Sequence, residues 1–442
     1  MASDRDRLRE LIRQRFGGGD GSPARPSGVE FEVRRVHGIF EAAVDVRHLQ
    51  KPDGVAGVLV REGTSIKEAY LREAAFVDYC FAASGDRLSR TYVYHVNKSY
   101  ERVGRLDLDA LFIERDVTRR VSKLAEETAT ELERLRGELE SDPTLERYRD
   151  VPCSRRKTCP VCSEGLADVE SGHISTLHRG GQLVGELLEE GFTMITDVPV
   201  ERLVHRRQQI QQKALREGVP HVDIEALRVF LDRLVPPIGY LDFEATSTAV
   251  PVFDHVRPWE HIPYLYSLHV EHSGEHVEHS SFIMRPGMDD REALVARLVS
   301  EASACGSIVV YSAGFERGIL GRLAEAVPAH RDALILLVDQ IVDLLEPFNE
   351  FSFYHHEQKG KVSLKTVLPV LTDRDYSDEA VRDGYTANLA YRHLAEGGDD
   401  RAAAQAKLLS DLTSYCALDT MAMVHIVREL RQLAHDAPEA PA

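Results

Sequence analysis

The chain has 442 residues, enough at roughly 150 per domain for two to four domains with their own cores. Fifty-four Lys and Arg stand against 72 Asp and Glu, a net charge of -18, which excludes a generally basic surface that coats nucleic acid but permits a local basic groove or a carboxylate cluster for cations. Hydrophobic residues at 43% and charged residues at 29% describe an ordered globular protein, and no apolar run approaches membrane-spanning length.

The N-terminal MASDRDRLRELIRQRF is charged helix material without the apolar centre of a signal peptide, which predicts a cytoplasmic protein whose six cysteines are thiols or ligands rather than disulfides. GGGDGSPARPSG at 17–28 reads as a linker closing a first segment of 1–27. EFEVRRV, IFEAAVDVRHL and GVLVREG then read as strands, followed by a helix over about 65–83 and a strand at RTYVYHVN. Val121, Leu124, Thr128, Leu132, Leu135 and Leu139 recur every three to four residues, the mark of a long amphipathic helix ending before Asp142-Pro143. Together these make an expected domain of 28–150.

Residues 151–235 form an expected connector. It opens on PCSRRKTCPVCSEG, in which Cys153, Cys159 and Cys162 are spaced C-x5-C-P-x-C beside Arg155, Arg156 and Lys157. These thiolates could take part in a zinc site with His173 or His178 as fourth ligand; otherwise the loop carries free thiols and Cys80 is a core residue. LHRGGQLVGELLEEGFTMITDVP suggests a helical hairpin. The next helix carries His205, Arg206, Arg207, Lys213 and Arg216, either a solvated basic face or a contact for a phosphate backbone.

From 236 to 434, strands (IGYLDF, YLYSLHV, SSFIMRP, SIVVYS) alternate with helices, predicting an α/β domain with a mixed sheet flanked by helices, before a tail at 435–442. Period two puts Tyr240, Asp242 and Glu244 on one face of the first strand. Two acids so placed repel unless a cation joins them, and oxygen ligands suit a divalent ion. VVYSAGFERGIL reads as strand, three-residue turn with Gly314, and a helix opening at Phe315-Glu316. In the last helix Asp419 lies in an apolar stretch one turn after Tyr415, where a carboxylate is costly unless paired or metal-bound.

Strand D-x-E, then strand-turn-acid, then Y-x-x-x-D in a late helix resembles the tyrosine-bearing branch of the DEDD 3′-5′ exonucleases, on a ribonuclease-H-like fold. The resemblance implies two Mg²⁺ or Mn²⁺ ions: Asp242 bridging both, Glu244 and Asp419 completing the first site, Glu316 supporting the second, and Tyr415 orienting the attacking water. Glu316 stands where that family usually has Asp. YLDFEATSTAVPVFDHVRPWEHIPYLYSLHV, VYSAGFERGIL, IVDLLEPF, YHHEQKGKVSLKTVLP and YCALDT together resemble a bacterial RecB-like nuclease family with a C-terminal domain of unknown function. Its VSLK segment makes Lys365 a candidate phosphate contact; Asp343 would lie near the site or cap a structural element, and His355 and His356 would approach nucleic acid or lie on a solvated loop.

YVYHVNKSYERVGRLDLDALFIERDVT resembles the other half of that family, a PD-(D/E)XK restriction-endonuclease-like domain, and fused members of the family begin with a leading helical segment before this point. Such a site needs an acid, then acid-x-Lys on the next strand. Asp45 supplies the first, but Leu59 and Arg61 occupy the second, so this half is expected to be inert, with Glu62 and Lys67 as candidates for displaced chemistry. The resemblance implies nucleic acid as substrate, a protein partner from a repair or defence system, and, since related RecB-like nucleases hold an iron-sulfur cluster on one early and three late cysteines, such a cluster on Cys153, Cys159 and Cys162 if Cys80 joined them.

Overall fold

Alternating β-branched residues and two amphipathic helices in the first 145 residues produce one α/β unit. In a computed structural model, residues 3–17, 29–51, 54–141, 170–272, 276–372, 374–375, 384–395 and 402–436 are described. Cα packing divides the chain into two units, Met1–Leu145 with Ser247–His261, and Glu146–Thr246 with Ile262–Ala442.

The first unit opens on helix α1 (Asp4–Gly17). Five strands then form one sheet in chain order: β1 (Val29–His37), β2 (Phe40–Lys51), β3 (Gly54–Arg61), β4 (Arg90–Val96) and β5 (Phe112–Asp116). Neighbours are antiparallel except β3 and β4, which are parallel. That parallel pair requires a crossover, supplied by α2 (Glu68–Ala83); α3 (Leu108–Leu111) and α4 (Thr118–Ser141) follow. Alternation along β3 sends Leu59 into a core with Ala74, Cys80 and Phe81, and Val58 and Val60 into a second core with Leu8 and Ile12 of α1. Residues 4–17, expected as a segment apart, are thus part of this unit's core. So are Ala249 and Val250, which come from far along the chain.

In the second unit, α5 (Gly181–Glu189), α6 (Arg206–Glu217) and α7 (Ile224–Leu231) precede the sheet, with β6 (His221–Val222) between the last two. The sheet contains β7 (Ile238–Thr246), β8 (Ile262–Glu271), β9 (Val277–Ile283), β10 (Ser307–Val310) and β11 (Ile341–Asp343), in the order β11-β10-β7-β8-β9. β7, β8 and β9 are antiparallel neighbours, and β10 lies parallel to β7 and β11. This is the mixed α/β architecture expected from the strand and helix alternation.

The flanking helices are α8 (Arg291–Ala302), α9 (Ala313–Ala326), α10 (Arg331–Asp339), α11 (Glu346–Asn349), α12 (Leu364–Leu371), α13 (Gly384–Ala395) and α14 (Ala402–Asp436); β12 (Phe353–Tyr354) pairs with β6. The 35-residue α14 buries Met423, Val424, Val427 and Leu430 against Tyr240 and Val309, which brings the last helix onto the central strands. One expectation is corrected here. α9 begins at Ala313, so Gly314 belongs to the helix and Glu316 sits two residues further in than a helix opening at Phe315 would place it.

Candidate metal centre

β7 is buried along nearly its whole length, so its acids could not turn to solvent without moving the strand. Asp242 is partly buried and Glu244 only 8% exposed. α14 packs across the same face and delivers Asp419. Asp242, Glu244 and Asp419 each place a carboxylate oxygen within 4.8 Å of the others. Tyr415, 3% exposed, hydrogen-bonds Asp419 from one turn earlier, as the i, i+4 spacing requires.

Glu316 joins from β10 and α9. Its side chain is 2% exposed, and Oε2 is buried with no hydrogen-bond partner. A buried unpaired carboxylate oxygen costs several kcal/mol unless something compensates it. Desolvation and then the charge of Asp242 push Glu316 up to about 8. Asp242 is likewise pushed up to about 8 by burial and then by Asp419, against the stabilising thiol of Cys416, whose Sγ lies 3.3 Å from its Oδ2. Burial and then Asp419, Glu244 and Asp242 keep the Tyr415 phenol protonated.

Every donor here is an oxygen, which matches Mg²⁺ or Mn²⁺ rather than a softer ion. The orphaned oxygen of Glu316 and the upward shift of two acids show carboxylates that burial and mutual repulsion disfavour as anions. The residues therefore fit a divalent cation.

Backbone geometry supports Glu316. Ser312, which precedes α9, has φ +80°, a left-handed conformation that costs a non-glycine residue roughly 1–2 kcal/mol. Asp343 at the end of β11 holds it there: Oδ1 accepts from the N–H groups of Ser312 and Leu345, and Oδ2 from that of Ala313, all at 2.9 Å. Asp343 is therefore the cap of the helix that carries Glu316. Lys365 at the start of α12 reaches the site, with Nζ 4.7 Å from the Tyr415 ring centroid. His355 serves structure, its side chain accepting from the Glu357 N–H, and its ring stacks on His356.

Several supports escape a reading of the sequence alone. Cys416 reads as one more apolar position on α14, yet its thiol contacts Asp242. Thr420, one turn on, meets both Ser267 Oγ and His269 Nδ1 at 2.8 Å, a neutral buried network that fixes α14 against β8. Gly384, at the start of α13, lies so near Glu244 that a Cβ there would sit 3.6 Å from its carboxylate. The only available signal was spacing: Leu412, Cys416, Thr420 and Met423 form the buried stripe of α14.

The first unit presents the contrasting arrangement. Asp45 is 6% exposed and accepts from Arg9 Nε at 2.5 Å, the Val60 N–H at 2.7 Å and Arg61 Nη1 at 3.1 Å. Arg61, itself 2% exposed, also donates Nε to Glu73 at 2.8 Å. Lys67 precedes α2 with its ammonium over Tyr70, Glu62 keeps a buried oxygen without a partner, and Cys80 is a core residue. Cys153, Cys159 and Cys162 lie outside the described residues. On α6, Arg207 pairs with Glu350 at 2.5 Å, Arg206 with Asp223 at 3.6 Å and Lys213 with Glu217 at 3.9 Å, while Arg216 donates to the Thr196 carbonyl.

Residues 239–363 match the family model described as a domain of unknown function, DUF2779. An uncharacterized protein of Mycoplasma pneumoniae (strain ATCC 29342 / M129 / Subtype 1), the MG366 homolog, is 27% identical over 207 residues, covering 42% of this chain. The chain spans about a third (31%) of the length of that curated relative. The matched domain begins on β7 and runs through Glu316 and Asp343; α14, which brings Asp419 and Tyr415, lies beyond it.

Proposed function

We propose that the protein is a metal-dependent nuclease whose second unit hydrolyses phosphodiester bonds of DNA or RNA from a 3′ end. The observation that carries this reading is the convergence of Asp242, Glu244 and Asp419 within 4.8 Å, beside a buried Glu316 whose Oε2 has no partner. Asp242, Glu244 and Asp419 would hold one divalent ion, with Glu316 and Asp242 toward a second. So bound, the ions would offset charge on the attacking and leaving oxygens of an in-line displacement.

The protein's own groups do the rest. Tyr415, kept protonated and tied to Asp419, holds the attacking water by its hydroxyl. Lys365, over the same ring, faces a phosphate oxygen as a point charge. Cys416 holds the Asp242 carboxylate in place. Arg206 and Arg207 on α6 contact the strand beyond the site. No helix among the described residues is long and apolar enough to cross a membrane, and the location we propose is cytoplasmic.

A second reading, a nucleic-acid-binding or assembly subunit without catalysis, has its own observation: Arg61 fills the place of a cation between Asp45 and Glu73. That observation concerns the first unit, and we assign it a scaffold role there. The test is incubation of labelled single-stranded and duplex DNA and RNA with Mg²⁺ or Mn²⁺, with a 3′-blocked control. Shortening from free 3′ ends is expected, and an Asp242→Ala, Asp419→Ala double variant should lose about a thousandfold or more of it. Equal activity in that variant refutes the assignment.

A further inference from the structure

A cavity of about 420 Å³ in the second unit is lined by His178, Arg179, His205, Arg206, Arg207 and Glu350. Its composition opposes the overall acidity of the chain: three guanidinium groups and two imidazoles meet one carboxylate. His205 is the N-cap of α6, so the cavity also faces the N-terminal end of a 12-residue helix, where the backbone dipole favours an anion.

His178 is the independent observation. It is 7% exposed, and every polar group but one is committed. Its N–H donates to Gln211 Oε1 at 2.8 Å and its carbonyl accepts from Gln208 Nε2 at 3.0 Å, both from α6. Nδ1 lies 2.9 Å from the carbonyl oxygen of Gly360, which can only accept, so Nδ1 carries the hydrogen. Nε2, on the ring edge away from Gly360, is buried with no partner. Gly360 is fixed in turn, because a Cβ there would come within 2.2 Å of the Thr176 carbonyl and its φ is +71°. Burial, opposed by the Gly360 hydrogen bond, and then Arg179, Arg207 and His205 hold this ring below the usual histidine pKa. The cations themselves have replaceable partners: Arg179 donates to Asn349 at 3.2 Å, Arg206 pairs loosely with Asp223, and Arg207 pairs with an exposed Glu350.

We propose that this pocket is a binding subsite for a phosphate group of the nucleic-acid strand, remote in sequence from the acids of the metal centre. A phosphate oxyanion matches its forked donors and helix end, and its charge would draw a proton from solvent onto the buried Nε2, which on the neutral ring presents only a lone pair. The assignment rests on the nuclease reading for the source of the phosphate, and Glu350 is the one group in the lining that opposes it.

The test measures binding of single-stranded oligonucleotides, with a 5′-phosphate or a 5′-hydroxyl, by fluorescence anisotropy in EDTA over a range of salt; cleavage in Mg²⁺ is scored separately. Arg179→Gln with Arg206→Gln should weaken binding about tenfold and flatten the plot of log affinity against log salt by about 0.7, one phosphate contact on a single strand. Glu350→Gln should tighten binding, an effect that misfolding cannot produce. A 5′-phosphate preference lost in the double arginine variant assigns the pocket a terminal monoester; equal loss for both oligonucleotides assigns it an internal diester. Unchanged affinity and slope in both variants overturn the subsite while leaving cleavage, and with it the nuclease reading, intact. Inorganic phosphate that shifts the His178 ring resonances while no oligonucleotide binds overturns the nucleic-acid source. Stoichiometric zinc lost on His178→Ala overturns the phosphate.

Discussion

Three buried acid sites in this chain face the same electrostatic problem and answer it in two ways. In the first unit, Asp45 receives Arg9 and Arg61, and Arg61 bridges to Glu73. In the second, Glu271 on β8 receives Arg428 at 2.9 Å, Arg431 at 3.0 Å and the Tyr240 hydroxyl at 3.0 Å. Burial alone would raise its pKa; the hydrogen bonds of Arg428, Tyr240 and Arg431 outweigh that and hold it below the usual value. Asp242 and Glu316 receive no such help and are pushed up to about 8. Where the chain supplies a guanidinium, a buried acid is structural. Where it supplies a thiol and leaves an oxygen unpaired, the acids are shifted toward their neutral form, and a divalent cation is the partner we propose for them.

The sharpest way to break this comparison is at Arg61. Removing one partner of a buried pair leaves charge without compensation, so Arg61→Ala should cost about 3–5 kcal/mol in urea unfolding. A loss under 1 kcal/mol would mean that Arg61 does not stand in for a cation. The acid cluster of the second unit should behave in the opposite sense. Mn²⁺ at a hundred times its dissociation constant should stabilise the wild type by about 2.7 kcal/mol, and Asp242→Asn should abolish the effect. Equal stabilisation of the two proteins would locate the ion elsewhere.

Glu271 supplies a contrast in pH. Its pKa is depressed in the folded state, so it contributes stability above the unfolded value near 4.5, and that contribution disappears as pH falls through the lower folded value. Glu271→Gln should therefore lose about 1–3 kcal/mol at neutral pH and progressively less as pH falls below 4.5, approaching the wild type. Parallel pH profiles for the two proteins would remove the ion pairs as the cause.

Much of this was legible in the sequence, and the part that was not has a common cause. Period two placed Asp242 and Glu244 together, and helical spacing placed Tyr415 on Asp419, because each pair sits on one element. The substitution of Leu59 and Arg61 for an acid and a lysine was visible as a loss. That Arg61 then fills the gap between Asp45 and Glu73 was not visible, since Glu73 comes from the crossover helix. The same holds for α1, Ala249 and Val250, which join the first core from distant positions. The glutamines of α6 read as polar surface, yet Gln208, Gln211 and Gln212 are 0–2% exposed and clamp the backbone around His178 and Ile195. Polar residues spent on backbone groups of another segment leave no periodic trace.

The smallest expected effect tests whether the cap on α9 belongs to the metal centre or only to the fold. Asp343 accepts the Ser312 and Ala313 N–H groups on different oxygens, so Asp343→Asn can keep one of them and Asp343→Ala neither. Loss of a cap of this kind costs about 1–2 kcal/mol, with the Asn variant between the Ala variant and the wild type. Ser312 would no longer be held at positive φ, and the first turn of α9, with Glu316 on it, would relax. Affinity for Mn²⁺, measured by calorimetric titration, should then fall in the same order as stability. If the Ala variant loses stability but binds Mn²⁺ as the wild type does, Glu316 contributes nothing to the ion, and the cluster of Asp242, Glu244 and Asp419 holds it alone.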